Sequence, residues 1–219
     1  MAEKPIIAIL GGTGKEGPGL AMRWAHAGYQ VIIGSRQAEK AEATAKELNE
    51  TMGISTISGY ENGEAARRAD ICVLTVVQSA QVPALEGLKE ALQGKILVDA
   101  TARVEFKDPK PPAQPSAGRT AQDILGPAVK VVAAFQNVPA SALKKNLDQP
   151  VKTDVLVCSD DIQAAESVVT LAEDGGMRAY YAGGLDNAVV VEGITALLIA
   201  ANKHYGGHGT LQIVGIEKA

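Results

Sequence analysis

The run Ile6-Ile7-Ala8-Ile9-Leu10 breaks into Gly11-Gly12-Thr13-Gly14-Lys15-Glu16-Gly17 and then into Leu20-Ala21-Met22-Arg23-Trp24-Ala25. An apolar run of this length reads as a buried strand. The pattern Gly-x-Gly-x-x-Gly after it reads as a tight turn, and the next segment has helical composition. A second apolar run, Val31-Ile32-Ile33-Gly34, stands where a βαβ unit needs its returning strand. In such a unit Gly12 turns the chain out of the first strand, Gly14 leaves the backbone open to a pyrophosphate, and Gly17 lets the helix pack closely on the strand. The free N–H groups of residues 12–17 (Gly12, Thr13, Gly14, Lys15, Glu16 and Gly17) then face an anion at the helix N-terminus, where the dipole favours negative charge. The expected ligand is a dinucleotide.

The end of the second strand suggests which one. An NAD-binding unit usually places Asp or Glu there to bond the ribose 2′-hydroxyl. This chain has Ser35-Arg36, with Lys40 a turn further on. A guanidinium pairs with a phosphate and cannot accept those hydroxyl bonds. Ser35 and Thr13 can donate to the same phosphate, so the reading is NADP(H).

Downstream, helical and strand patterns alternate. Helices are expected at residues 15–27, 37–50, 61–68 and 79–92, and strands at 54–58, 71–77, 96–101, 129–134, 155–158 and 178–181. Alternation of this kind gives an α/β fold, a Rossmann-type doubly wound, mostly parallel sheet with helices on both faces. Residues 1–180 are expected to form the NADP-binding domain, and residues 181–219 a small, mainly helical C-terminal extension. Residues 185–203 read as one mostly apolar helix, packed on the first domain, in a homodimer interface, or both. Residues 107–118 hold Pro109, Pro111, Pro112 and Pro115 and cannot form a regular helix or central strand. They read as a surface excursion near the carboxyl ends of the strands, a lid or a plain loop.

Composition narrows the class. Aromatic residues are 4% of the chain and the formal net charge is −4, so neither stacking platforms nor a basic surface supports nucleic-acid binding. No apolar run reaches the roughly twenty residues of a membrane span, and no signal-peptide pattern precedes the first strand. Cys72 and Cys158 lie in apolar runs and read as core residues in a reduced, cytoplasmic setting. His26, His204 and His208 are scattered, so no metal is expected.

Taken with the loop, Gly34-Ser35-Arg36 and Lys40-Ala41, the chain resembles the NADPH-dependent reductases of the deazaflavin coenzyme F420, the F420:NADP oxidoreductases. The resemblance continues at Ala69 to Val76, Val131 to Phe135, Val138-Pro139-Ala140 and Ala182 to Asn187, nearly the whole chain. It implies direct hydride transfer between nicotinamide C4 and deazaflavin C5, with F420 as co-substrate and no protein group in the catalytic role. It also implies that Thr13, Ser35 and Arg36 hold the 2′-phosphate and that Gly12 through Gly17 cradle the pyrophosphate. Thr75, Val76 and Val77 would border the cofactor, with Ala140 at the nicotinamide carboxamide and the deazaflavin against Gln136, Asn137, Val138 and Pro139. Members commonly carry His where this chain has Gln136, which can donate a hydrogen bond to a ring carbonyl but cannot carry a proton. The glycine loop with Ser-Arg is shared with other NADP enzymes. An NADP-dependent reductase of a small imine, ketone or hydroxyacid, or a non-catalytic NADP(H) sensor, therefore stays open. Arg103 could hold an anionic substrate or sit at the surface.

Overall fold

The computed structural model describes residues 4–216. Short apolar strands and amphipathic helices alternate from the start: β1 (Ile7–Leu10), α1 (Gly17–His26), β2 (Val31–Ser35), α2 (Ala38–Met52), β3 (Ile57–Glu61), α3 (Asn62–Arg68), β4 (Ile71–Leu74), α4 (Gln78–Leu88), β5 (Ile96–Asp99), α5 (Ala117–Leu125) and β6 (Lys130–Ala133). These strands form a parallel sheet in the order β3-β2-β1-β4-β5-β6. The chain winds one way from β1 to β3 and the other way from β4 to β6. A crevice opens beyond the carboxyl ends of the strands where the winding reverses, between β1 and β4.

The sheet separates two hydrophobic layers. Ile7, Ile9, Val73, Val98 and Val132 face one, with Leu20 and Trp24 of α1. Ala8, Leu10, Cys72, Leu74, Leu97 and Val131 face the other, with Leu85, Leu88 and Leu125. Near-continuous apolar strands are what a sheet covered on both faces requires. Arg23, also on α1, is 3% exposed and was not foreseen as a core residue. Its guanidinium donates to the carbonyls of Leu143, Lys145, Leu147 and Gln149 at 2.9, 2.6, 3.2 and 2.9 Å, which ties the segment after β6 to α1.

After β6 come the short α6 (Ala140–Leu143), β7 (Asp154–Val157), α7 (Ile162–Asp174) and β8 (Arg178–Tyr181). Two of these strands stand apart from the main sheet. β7 and β8 form a separate parallel pair, and β7 meets β6 only through an antiparallel bridge between Ala133 and Cys158. The chain leaves β6 through Phe135, whose φ of 75° is left-handed, and so turns away instead of crossing over the sheet. The segment near the C-terminus covers β7, where Asp154 N donates to Leu211 O at 2.8 Å and Ile213 N to the Asp154 carboxylate at 2.6 Å.

Several boundaries also shift. β3 starts at Ile57 instead of residue 54, because Gly53 ends α2 in the left-handed region and Asn49 brackets the Ile57 peptide with bonds of 2.7 and 3.1 Å. β4 ends at Leu74; Thr75 N still donates to Leu10 O at 3.0 Å, and Val76 and Val77 lie beyond the strand. The proline-rich excursion ends before Ser116, which caps α5, a helix the sequence reading missed. The end helix is a 3-10 turn at Leu185–Asn187 followed by α8 (Ala188–Tyr205). Together they span 21 residues, long and apolar enough by length and composition to cross a membrane, although Glu192, Gly193 and Thr195 interrupt the apolar run. Glu192 in its middle is nevertheless fully buried against protein.

Ser116 joins α5 to the end helix. Its Oγ accepts from Arg119 N at 2.9 Å and donates to Leu185 O at 2.8 Å, with no solvent exposure. Ser116→Ala loses both bonds, and urea denaturation is expected to show about 1–2 kcal/mol less stability.

Candidate functional site

The turn out of β1 uses Gly11, with φ 72°, and not Gly12 as the motif suggested. Gly11 N donates to Asn62 Oδ1 at 3.1 Å. Gly12 is needed for packing, since a Cβ there would lie 2.6 Å from Ile9 O. Gly17 is tighter still, with a Cβ 2.4 Å from Gly12 O. Gly14 differs: it is exposed, and a Cβ would meet nothing nearer than Gly11 O at 3.6 Å. The first constraint is the turn, the next two are helix-on-strand contact, and Gly14 keeps space open.

That space is a cleft of about 1120 Å³ at the carboxyl ends of β1, β2 and β4. One side is Thr13 and Gly14 from the loop, another is Ser35, Arg36 and Lys40 after β2, and a third is Thr75, Val76 and Val77 after β4. Arg36 and Lys40 are exposed and Ser35 is buried, its Oγ accepting from Gln37 N at 3.3 Å. No carboxylate ends β2. Sequence reasoning missed the wall made by α4, where Ala80, Pro83, Ala84 and Leu88 give an apolar surface, and it missed Glu61 and Asn62 at the start of α3. Distant segments carry no local mark of sharing a cleft. Lys15 is exposed, and like Gly12, Glu16 and Gly17 it does not line the cleft.

The remaining candidates lie elsewhere. Gln136, Asn137 and Val138 are 7, 4 and 7% exposed and do not line this cleft; Pro139 and Ala140 are half-buried. Gln136 Nε2 donates inward to Asp99 O at 3.0 Å and Asn137 Nδ2 to Asp154 O at 2.9 Å. Their carbonyl oxygens, Gln136 Oε1 and Asn137 Oδ1, are buried with no partner, as is Thr101 Oγ1. The Gln136 amide N–H is thus taken up by the Asp99 carbonyl, and its free group here is an acceptor. Thr195 on α8 holds the same residue from behind, its Oγ1 donating to Gln136 O at 3.0 Å.

A buried polar network underlies this edge. Asp99, at the end of β5, accepts from Thr101 N at 2.9 Å and from Gln81 on α4. Gln81 also donates to Ala117 O at 3.0 Å. Glu192 accepts from Ala117 N at 2.8 Å and from Arg103 N and Nε at 3.1 and 2.8 Å. Arg103 is thus committed to the protein and does not stand ready for a substrate. Burial pushes the Asp99 carboxyl up to about 6, against the hydrogen bonds from Thr101 and Gln81, which favour its charged form. Glu16 is raised further, to about 8, by burial alone. The cysteine thiols are pushed up to about 12 and 11 by burial and are unreactive core groups. Among the described residues no group of three or more His, Cys, Asp or Glu side chains is arranged to hold a metal.

A doubly wound sheet with a glycine loop and a cleft at its reversal point defines a Rossmann-type dinucleotide-binding protein. The family model described as NADP oxidoreductase, coenzyme F420-dependent, matches residues 6–103. The F420-dependent NADP reductase of Methanothermobacter thermautotrophicus is 42% identical over 90% of this chain and 88% of its own. That of Methanocaldococcus jannaschii is 40% identical over 96% of this chain and 99% of its own. The crystal structure of a putative F420-dependent NADP-reductase from Arthrobacter sp. FB24 superposes with a TM-score of 0.77 at 25% identity, covering 94% of this chain and 96% of that one. The chain belongs to the F420-dependent NADP reductase family.

Proposed function

We propose that this chain transfers a hydride directly between NADP(H) and the deazaflavin coenzyme F420. The observation that carries the reading is its 42% identity to an F420-dependent NADP reductase over 90% of the chain. The cleft supports the nucleotide half. Thr13, Ser35, Arg36 and Lys40 supply donors and positive charge for a 2′-phosphate. Gly12 N is already bonded to Gly34 O at 2.8 Å and Gly14 N to Gly11 O at 3.3 Å, so the other N–H groups of the loop are the ones that suit a pyrophosphate, and Thr75 to Val77 border it across the cleft. The apolar side chains of α4 suit the face of a base.

The buried oxygens of Gln136 and Asn137 support the second half. A buried carbonyl without a donor is costly, and a ring N–H of a deazaflavin would satisfy one. Val138 and Pro139 would pack against that ring, and Ala140 would meet the nicotinamide carboxamide through its backbone. When bound, the nicotinamide supplies the hydride at C4 and the deazaflavin accepts it at C5. What the chain contributes is alignment of the two rings and exclusion of water, so no side chain has to act as acid or base on the reacting carbons.

We further propose that residues 1–180 act as the NADP-binding unit and 181–219 as a helical extension. On that reading the chain works as a homodimer through α8, whose Val190 and Leu197 are each 62% exposed. Two free, buried cysteines suit a reduced compartment such as the cytoplasm.

Gly14→Ala tests the nucleotide site. The added methyl meets only ordinary contacts in the protein, so thermal stability is expected to stay within about 0.5 kcal/mol. NADP affinity is expected to fall about tenfold, because the methyl occupies the line of the pyrophosphate. Unchanged affinity in a titration would remove the loop from the site.

A further inference from the structure

We propose that the carboxylate of Glu61 reads the adenine of the dinucleotide, accepting a hydrogen bond from its exocyclic amine, and so sets which base the cleft takes. The inference rests on the NADP-binding reading above. It adds a specificity-determining residue that neither the glycine loop nor the end of β2 supplies.

Glu61 closes β3 and stands beside Ser35 in the parallel register. It is exposed, and among the described residues that line the cleft it is the only acidic one, opposite in sign to Arg36 and Lys40. The chain then turns into α3, which crosses back toward β1. Asn62 Oδ1 accepts there from Gly11 N at 3.1 Å. Further along, Ala65 and Ala66 share a hydrophobic layer with Leu85 and Leu88 of α4. The head of α3 and the lining face of α4 are therefore neighbouring walls of one cleft. On α4, Ala80, Pro83, Ala84 and Leu88 recur at helical spacing and make an apolar strip. A purine face suits that strip, which leaves its polar edge for the wall that holds Glu61.

The carboxylate is anchored at one oxygen and open at the other. Oε2 accepts from Gly63 N at 2.7 Å and caps α3. Oε1 accepts nothing among the described residues. The two arginines of α3 do not neutralise the group, since Arg67 and Arg68 pair with Glu64 at 3.3 and 2.6 Å. A held carboxylate oxygen with free lone pairs calls for a donor.

The adenosine half of NADP carries two kinds of donor, the ribose 3′-hydroxyl and the adenine 6-amino group. The hydroxyl adjoins the 2′-phosphate, where a carboxylate would face a like charge at short range. The amine sits on a neutral ring, on the edge away from the sugar. Charge thus assigns Ser35, Arg36 and Lys40 to the phosphate and Glu61 to the amine. Hypoxanthine has a carbonyl oxygen at that ring position, which would set acceptor against acceptor.

The test is calorimetric titration of the full chain with NADP⁺ and with its deaminated analogue, nicotinamide hypoxanthine dinucleotide phosphate. The wild type is expected to bind NADP⁺ about tenfold more tightly, the effect of one hydrogen bond to a charged group. In Glu61→Gln the amide oxygen keeps the bond from Gly63 N, so the helix stays capped, and an N–H takes the place of the open oxygen. A donor then faces the base, and the preference is expected to turn toward the hypoxanthine form. Equal wild-type affinities overturn the proposal, as does a preference that Glu61→Gln leaves unchanged. An equal loss with both dinucleotides in that variant would assign the carboxylate to the ribose and overturn it as well. Failure of the wild type to bind either dinucleotide would instead overturn the NADP reading beneath it.

Discussion

Arg36→Ala is expected to raise the NADPH concentration needed for half-saturation roughly ten- to hundredfold, while leaving NADH use nearly unchanged. The range follows from the ~1.5–3 kcal/mol of a hydrogen bond to a charged group. Arg36 has the geometry for that role: it is exposed, lines the cleft with Ser35 and Lys40, and follows a strand that ends without a carboxylate. NADH has no 2′-phosphate, so it loses nothing when the guanidinium goes. Steady-state kinetics with both nucleotides separate the cases. An unchanged NADPH constant would mean that Arg36 only faces water, and an equal loss with both would mean that it supports the fold.

Arg103→Ala is expected to cost about 3 kcal/mol of stability, read by urea denaturation. Glu192 has no exposed surface, and Arg103 is its only cation partner among the described residues. Removing the guanidinium strands a buried carboxylate, which keeps only the N–H donors of Arg103 and Ala117. Breaking one side of such a pair costs more than removing both. The double variant Arg103→Ala/Glu192→Gln should therefore recover part of the loss. No recovery would mean that the cost lies in the second Arg103 contact, to Ala113 O at 2.8 Å. The pair matters for function through position, because it holds the segment after β5 against α8, which also carries Thr195 behind Gln136.

What could be read from the sequence follows from locality. Gly12 and Gly17 are legible because close contact between helix and strand excludes a side chain at a fixed spacing. Ser35 and Arg36 are legible because the end of β2 is a set distance from that loop in any βαβ unit. The parallel, doubly wound class follows from the same alternation up to β6. Phe135 ends that run invisibly, since nothing in a phenylalanine announces a φ of 75°. The detached β7–β8 pair is the consequence. The Asp99–Gln81 and Arg103–Glu192 contacts were equally silent, because they join segments 18 and 89 residues apart. Ser116 could have been found: a Ser just past a proline run and before Ala117 to Leu125 is an N-cap signal. The wall of α4 and the buried oxygens at 136 and 137 exist only once the chain is folded.

The central claim is hydride transfer between NADP(H) and coenzyme F420, and it is tested most directly by mixing the protein with NADPH and oxidised F420. The visible absorbance of the deazaflavin should bleach as its C5 accepts the hydride, and added NADP⁺ with reduced F420 should restore it. Persistent absorbance across a range of pH, from a protein that binds NADPH, would contradict the account.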